Sequence, residues 1–301
     1  MNLILSFIGK LPDYIIYCIH QIRLYYTGTI YLILDDYNSN YLDDIKKYNI
    51  NFIRYDEVNE NSSRILNKYT RKFAVMDNLE DRKYLFFRAF ERMFLAYELI
   101  NKKDLNDNIF MEIDNLIYSN PEDWIKEFSK KELAYMFNEA ETCSAGIMYI
   151  KNKNSMNPLL ENMLEFIDKS TNYWVSEMGA LYNFYNSNDN YVYIMPTLYD
   201  DIINNVDNRI YDNYNKTVFD PASYGQYLLG LDLVHTNGKI VTGISLDHHK
   251  IVCKRYKIEW QTKDDGFKKP YLFNENINEW VLINNLHVHS KDLKSGLSKD
   301  I

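Results

Sequence analysis

The chain has 301 residues, of which 46% are hydrophobic and 25% charged; this composition is typical of a soluble globular protein with a sizeable core and excludes a disordered chain. Its formal net charge of -8 argues against nonspecific binding to nucleic acid, which needs a basic surface. The 3 cysteines, Cys18, Cys143 and Cys253, match neither a zinc pattern nor a disulfide framework and favour a reducing compartment.

The first part of the chain alternates apolar runs with helical patterns. Strands are predicted at 2–8, 29–34, 51–55 and 108–113, and helices at 13–25, 41–48 and 84–100. This alternation is typical of an α/β fold with a doubly wound, mostly parallel central sheet flanked by helices. Because ligands bind beyond the carboxyl ends of parallel strands, residues there, among them Gly9 and Asp35, are candidates for lining a site.

The second part predicts further strands and helices and a small appendage. Two strands flank a polar bend at 138–144, helices are predicted at 158–167 and 175–185, and a short strand at 191–195. Beyond residue 236 the pattern, including 251–260, favours an antiparallel β appendage. We therefore predict a single domain over 1–290, followed by a polar, mobile tail at 291–301.

The beginning of the chain predicts a strand rather than a leader. The apolar run ends at Gly9 and lacks a basic segment and a cleavage site. No run approaches the roughly 20 apolar residues needed to span a bilayer. We expect a cytoplasmic protein. The abundance of Tyr, Asn, Ile and Lys is typical of AT-rich genomes, so a viral source, and with it the host cytoplasm, is one expectation.

An acidic pair closes the predicted strand at 108–113. The strand delivers two carboxylates two residues apart, and the strand period of two places Glu112 and Asp114 on one face. Carboxylate oxygens suit Mg²⁺ and Mn²⁺, and a metal held there could clamp a diphosphate. A strand end with solvated acids explains the same pattern equally well.

The order of several segments makes the chain resemble the type-A (GT-A) glycosyltransferases, whose D-x-D motif lies at such a strand end. Glu112 replaces the first Asp of that motif, so Asp114 is the stronger candidate ligand. The other segments that carry the resemblance are Phe7-Ile8-Gly9-Lys10-Leu11-Pro12, Phe86-Phe87-Arg88-Ala89-Phe90, Cys143-Ser144-Ala145-Gly146-Ile147-Met148, 219–230 and Leu286-His287-Val288-His289-Ser290-Lys291. The last two are similar to segments of uncharacterised viral and bacterial members. Together these segments are spread over most of the length of the chain.

This resemblance implies a GT-A-like domain with a nucleotide-binding half at 1–118 and an acceptor-side half at 119–290. It implies that the first strand and loop receive the nucleoside, that an arginine contacts the nucleotide, and that a small-residue strand closes over the donor sugar. The candidates for these contacts are Phe7, Ile8, Gly9, Asp35, Arg88, Gly146, Gln226 and Lys291. Arg88 has a second interpretation, a surface salt bridge to Glu91 or Glu98 on its own helix.

Two histidines near the end of the chain are candidates for completing a metal site. The resemblance implies that a late histidine joins the metal and that a nearby lysine neutralises phosphate. His287 and His289 share one face of a predicted strand, and Lys291 lies two residues further on. The sequence does not choose between the two; His289 is favoured slightly because it is nearer Lys291. An exposed polar strand is the alternative. The cluster Asp247-His248-His249 is interpreted as a solvated turn.

Two carboxylates are candidate catalytic residues. Glu177 follows Ser176 at a predicted helix start, where the resemblance implies a general base in inverting enzymes. A structural acid that favours the helix N-terminus is the alternative, and is slightly preferred. Asp220 is a second candidate, for contacting the acceptor or the donor.

The leading hypothesis is a Mn²⁺- or Mg²⁺-dependent transfer of sugar from a UDP- or GDP-sugar to a glycan or protein hydroxyl. The alternatives are a nucleotidyltransferase that makes the activated sugar and a non-catalytic protein that binds nucleotide or glycan. The phosphate loop, the dinucleotide fingerprint and the G-x-S-x-G elbow are all missing from the sequence. Oligomeric state is left open.

Overall fold

The computed structural model describes residues 1–37, 40–60, 65–69, 72, 85–139, 141–170, 175–197, 217–232, 239, 257–274 and 278–301. Asp247-His248-His249 and Cys253 lie outside the described residues. Cys18 and Cys143 are buried free thiols. In the described part of the chain, no helix is long and apolar enough to cross a membrane.

The described elements follow the predicted alternation of strands and helices. The strands are β1 (Asn2–Phe7), β2 (Thr29–Leu34), β3 (Asn51–Arg54), β4 (Asn108–Met111), β5 (Asn115–Ile117), β6 (Leu133–Glu139), β7 (Thr142–Ile150), β8 (Val192–Ile194), β9 (Lys257–Thr262), β10 (Lys268–Asn274), β11 (Glu279–Leu282) and β12 (Asn285–His287). The helices are α1 (Ile15–Tyr25), α2 (Tyr41–Lys46), α3 (Tyr55–Val58), α4 (Leu85–Lys103), α5 (Pro121–Phe128), α6 (Lys153–Lys169), α7 (Glu177–Ser187) and α8 (Tyr224–Leu229). Short 3-10 turns lie at Asn67–Tyr69 and Lys294–Gly296.

Seven strands form the central sheet in the order β3-β2-β1-β4-β7-β6-β8. Every neighbouring pair is parallel except the two that involve β7, which runs antiparallel to β4 and β6. The predicted mostly parallel α/β sheet is therefore confirmed. The carboxyl ends of β1, β2 and β4 share one edge, and this edge carries the site.

Helices cover both faces of the sheet because its strands are apolar on both sides. In β1, Leu3 and Leu5 enter one buried cluster together with α1 and α2, whereas Ile4 enters a second with α4, α6 and α7. Helices therefore lie on both faces of the sheet, which confirms the predicted doubly wound arrangement.

Two element boundaries differ from the prediction. Helix α6 begins at Lys153 rather than at 158, because the Asn152 side chain caps it by accepting hydrogen bonds from the backbone N of Asn154 (2.9 Å) and Ser155 (3.3 Å). The bend predicted at 138–144 is much tighter, since β6 and β7 extend into it.

Two smaller sheets complete the described structure. Strands β9, β10 and β11 form the predicted antiparallel appendage. Strand β12 pairs antiparallel with β5, in a register that sets His287 opposite Asn115. This pairing returns the end of the chain to the strand end that follows β4.

The end of the chain is packed against the rest of the described structure. Leu293 and Leu297 are buried, which the prediction of a polar tail did not anticipate. Gln21 of α1 holds this segment: its Nε2 donates to Ile117 O (2.7 Å) and Ser298 Oγ (2.9 Å), and its Oε1 accepts from Ser298 N (3.0 Å). Apolar side chains and a buried amide thus fix the residues that follow Lys291.

Replacing Gln21 with alanine is expected to lower the free energy of unfolding by about 2–3 kcal/mol, because buried polar groups at Ile117 and Ser298 lose their partner. Urea denaturation measures the loss, and limited proteolysis reports release of the tail. Gln261→Ala, in which the lost amide bonds Glu259 on the same strand of the appendage, is the control. Equal effects of the two substitutions would contradict this role of Gln21.

Candidate active site

The acidic pair is held rigidly at the end of β4. Glu112 N donates to Gly146 O of β7 at 3.0 Å, and Asp114 O accepts from Val288 N at 2.8 Å. The two side chains are largely buried, with 17% of Glu112 and 11% of Asp114 exposed. The interpretation of the pair as solvated strand-end acids is therefore excluded for the described structure.

His287 completes a cluster with the two carboxylates. Its Nε2 lies 3.0 Å from Glu112 Oε2 and 3.3 Å from Asp114 Oδ1. One ligand atom from each of the three residues lies within 4.8 Å of the others. The pairing of β12 with β5 makes this convergence possible, since it brings together residues far apart in sequence.

The donor set fits a divalent cation. Asp114 Oδ1 is buried and, beyond the ion pair with His287 Nε2, has no hydrogen-bond partner among the described residues; two carboxylates with one imidazole are ligands that Mn²⁺ accepts. Two buried carboxylates this close together are unfavourable unless positive charge is near. Glu112, Asp114 and His287 are therefore the residues that could hold the metal.

Protein cations surround the acidic pair. Arg92 of α4 pairs with Glu112 and, at 3.0 Å, with Glu177, while the Lys291 ammonium pairs with Asp114. Burial opposes ionisation of Glu112, but Arg92 and His287 outweigh it and lower the pKa of Glu112 to about 2. In the same way, Lys291 and His287 overcome burial and hold the pKa of Asp114 well below its usual range. Both acids are thus carboxylates, the form that binds metal.

The two histidines occupy different environments. Burial disfavours the cation of His287, but Asp114 and Glu112 raise its pKa to about 10. Burial, His287 and Lys291 lower the pKa of His289 to about 3. The rings meet edge to face with centroids 4.6 Å apart, and His289 Nδ1 lies 3.3 Å from Gln226 Nε2. His287 must release its proton to bind a metal, but it, rather than His289, is the ring that lies against both acids, so the slight preference for His289 from the sequence is reversed.

Two glycines make room for His287, because a side chain at either position would clash with it. A Cβ on Gly146 would lie 2.9 Å from His287 Nδ1, and a Cβ on Gly225 would lie 2.2 Å from His287 O. Gly146, which was predicted to contact the donor sugar, packs directly against the imidazole. Gly225, in the first turn of α8, lets this helix approach the β12 backbone.

Lys291 has a left-handed backbone conformation, with φ of 65°, which is uncommon for a residue with a side chain. Its N donates to Val288 O at 3.1 Å, and the neighbouring Ser290 Oγ donates to Leu229 O at 2.6 Å. Such strain persists where the surroundings impose it, often at functional sites. The turn directs the ammonium onto Asp114.

Two cavities meet at the cluster. The first, of about 310 Å³, reaches the end of β1 and is lined by Ser6, Phe7, Ile8, Tyr14, Leu85, Arg88, Ala89, Arg92, Glu112, Ile113, Asp114 and Lys291. The second, of about 280 Å³, reaches Asn138, Ser144, Glu177 and His289. Glu112, Asp114, Arg92 and Lys291 line both. A ligand that fills both cavities would pass the cluster at its middle.

The candidates at the carboxyl ends of β1 and β2 lie close together. Phe7 and Ile8 line the first cavity. Gly9, with φ of 117°, donates its N–H to Asp35 Oδ1 at 2.8 Å, and Asp35 is exposed. Arg88 lines the same cavity and pairs with Glu91; because the carboxylate of Glu91 is buried, this salt bridge is not the surface pair that the second interpretation expected.

Asp220 and Gln226, both predicted to contact a sugar, are buried and form hydrogen bonds inside the protein. The two carboxylate oxygens of Asp220 accept hydrogen bonds from five backbone N–H groups, those of Ala222, Ser223, Tyr224, Gly225 and His287. Asp220 is 1% exposed and lines neither cavity, so it braces α8 and β12 rather than facing a substrate. Gln226 is also buried; its Nε2 donates to Ala222 O at 2.6 Å.

Glu177 lies where the sequence predicted, in the first turn of α7. The side chain of Ser176 caps this helix by accepting from Gly179 N at 3.2 Å. Burial raises the pKa of Glu177 above its usual value, although Arg92 opposes the shift. Arg92 itself was missed by the sequence prediction, but its position one turn after Arg88 was a usable signal.

No family model matches the sequence, and no curated protein matches it. The fold is similar to that of a galactosyltransferase, LgtC, in complex with donor and acceptor sugar analogs, at 13% identity and a TM-score of 0.45, over 72% of this chain and 84% of that one. It is similar to mouse xyloside xylosyltransferase 1 at 8% identity and a TM-score of 0.44, over 71% and 93%. A cytidylyltransferase from Leptospira borgpetersenii is similar at 9% identity and a TM-score of 0.37, over 66% and 76%. Similarity at this level assigns no activity to the chain.

Proposed function

We propose that this protein is a metal-dependent glycosyltransferase that moves a sugar from a nucleotide-diphosphate donor to a hydroxyl of a glycan or protein. The observation that carries the proposal is the convergence of Glu112, Asp114 and His287 where two cavities meet. A nucleotide sugar has a matching order of parts, with the diphosphate between the nucleoside and the sugar. The GT-A resemblance of the sequence points to the same class.

The first cavity suits the nucleoside of a UDP- or GDP-sugar. Phe7 and Ile8 offer apolar surface, and the exposed carboxylate of Asp35 lies beside the same loop, where it could accept from a ribose hydroxyl. Arg88, fixed by Glu91, contributes a guanidinium for the phosphates. These roles for the end of β1, for Asp35 and for Arg88 are part of the proposal.

The residues around the cluster would stabilise the departing diphosphate. A bound Mn²⁺ or Mg²⁺ would supply Lewis-acid stabilisation of the negative charge that develops on the leaving group. Lys291, already directed into both cavities, would add a second positive charge. Arg92 would keep Glu112 oriented and ionised through their ion pair.

Glu177 is the proposed general base for the acceptor hydroxyl. It lines the second cavity and is buried, and its raised pKa favours proton uptake. Glu177→Gln keeps the shape of the side chain but cannot take the proton. Normal transfer by this variant would contradict the assignment of Glu177 as the general base. It would also remove the argument for a mechanism that inverts the anomeric configuration.

The nucleotidyltransferase alternative lacks support in the loop after β1. The backbone N–H groups of Gly9 and Leu11 donate to carboxylates, those of Asp35 (2.8 Å) and Asp36 (3.2 Å). A loop occupied by acids does not cradle phosphates, because like charges repel.

Isothermal titration with a panel of UDP- and GDP-sugars, with and without Mn²⁺, tests the proposed function. We expect one sugar nucleotide to bind at least about tenfold more tightly with Mn²⁺ and to be hydrolysed slowly without an acceptor. Pyrophosphate formation from a sugar phosphate and a nucleoside triphosphate would indicate a nucleotidyltransferase instead. Tight binding with no turnover, even with acceptors present, would indicate a binding protein.

A further inference from the structure

A bulge at the end of β6 aims Asn138 into the second cavity. From Phe137 to Glu139 the pairing advances two residues on β6, whereas it advances one residue on β7, from Cys143 to Thr142. Asn138 is therefore the extra residue of a β-bulge, a distortion that re-aims a side chain and is frequent beside active sites.

The Asn138 side chain is buried, but its amide group lacks strong hydrogen-bond partners among the described residues. It is 7% exposed, its Nδ2 lies 3.9 Å from Met178 Sδ, a weak acceptor, and its Oδ1 has no hydrogen-bond partner among the described residues. Leaving a carbonyl oxygen buried and unpaired lowers stability, whereas an apolar side chain of the same size would not. The amide is thus poorly explained by packing alone.

The place of Asn138 relative to the cluster indicates what its oxygen meets. It lines the second cavity together with Ser144 and Glu177, whereas the end of β1 lines the first. If the diphosphate lies at Glu112 and Asp114 with the nucleoside toward β1, the sugar extends into the second cavity. Hydroxyl groups are the hydrogen-bond donors that every hexose presents there.

We propose that Asn138 Oδ1 accepts a hydrogen bond from one hydroxyl of the donor sugar and so determines which sugars are used. The inference rests on the proposed function and adds a specificity residue to it. A site built to pair a hydroxyl rejects the analogue that lacks it, because the buried group is then left unpaired.

The test compares wild-type protein with Asn138→Leu, using the preferred sugar nucleotide of the panel, its nucleoside diphosphate (UDP or GDP) alone, and each of its monodeoxy sugar analogues. Wild-type protein should lose about 10- to 100-fold in kcat/KM for hydrolysis with one monodeoxy analogue. Asn138→Leu should lose a similar factor with the parent sugar, show no further loss with that analogue, and bind the nucleoside diphosphate with unchanged affinity. Its melting temperature should equal or exceed that of wild type. Asn183→Leu on α7, where Asn183 bonds Asn162 at 3.1 Å, is the matched control and should keep the discrimination.

An Asn138→Leu variant that keeps the discrimination against every monodeoxy analogue overturns the inference and leaves the proposed function standing. Equal losses of affinity for the nucleoside diphosphate and for the sugar nucleotide also overturn it, since they indicate a structural role. Wild-type protein that binds no UDP- or GDP-sugar with Mn²⁺ present overturns both.

Discussion

Asp114→Asn is expected to reduce Mn²⁺-dependent turnover of the sugar nucleotide about 1,000-fold while leaving the fold intact. The amide keeps the size of the side chain, and the backbone bond from Val288 N to Asp114 O is untouched. It removes the negative charge that pairs with Lys291 and that would hold the cation, and metal stabilisation of a leaving group is worth several kcal/mol. Initial rates of donor hydrolysis across a Mn²⁺ titration measure the loss.

Asp43→Asn is the matched control, because Asp43 is 85% exposed on α2 and pairs only at the surface with Lys46. Its rate and Mn²⁺ dependence should equal those of wild type. Full activity of Asp114→Asn, or wild-type activity that persists with a chelator present, would contradict a metal at Glu112, Asp114 and His287.

Gly225→Ala is expected to lower the free energy of unfolding by about 3 kcal/mol or more. The added Cβ would lie 2.2 Å from His287 O and 3.0 Å from Asp220 Oδ2. A backbone carbonyl cannot rotate away as a flexible side chain can, so α8 and β12 must separate, which is costly in a packed interior. Urea denaturation followed by circular dichroism measures the loss.

Gly266→Ala distinguishes this clash from the general cost of replacing glycine. Gly266 has φ of 74° and no atom within 4 Å of an added Cβ, so only backbone strain of about 1 kcal/mol is expected. The two variants should therefore differ clearly in their urea midpoints. Similar midpoints would show that β12 is not pressed against α8. Because the clash displaces His287, Gly225→Ala should also weaken Mn²⁺ binding, and Gly266→Ala should not.

Cationic side chains of the protein neutralise the acidic side chains of the cluster. Glu112, Asp114 and Glu177 are paired with Arg92, Lys291 and His287. Burying three negative charges would lower the stability of the fold if they had no cationic partners. The ion pairs therefore allow the three acids to lie close together. Arg92 is the link between the two cavities, because it pairs with an acid of the proposed metal site and with the proposed base.

Local periodicity explains what was predictable about the site. The strand period of two set Glu112 and Asp114 on one face, and the alternation of strands with helices placed them at the ligand-binding edge of the sheet. Ser176 marked the start of α7, and so the position of Glu177, because capping is a short-range interaction. Each of these features depends on residues a few positions apart.

Features that depend on distant pairing were not predictable in this way. His287 rather than His289 faces the acids because of the register between β12 and β5. The carboxylate of Asp220 is engaged in hydrogen bonds, one of them from the backbone of β12, which passes beside it. Asn138 enters the cavity through a bulge that leaves no mark in hydrophobic alternation.

The sequence by itself determined the α/β architecture and the edge of the sheet where Glu112 and Asp114 lie. Only the tertiary structure decided which histidine joins the acids, that Arg92 links Glu112 to Glu177, and that the segment after Lys291 is packed. The physical reason is range: secondary structure and capping follow from neighbouring side chains, whereas a bond such as Lys291 to Asp114 joins residues 177 positions apart. The partners of such a long-range bond are fixed only when the strands of the whole sheet have come together.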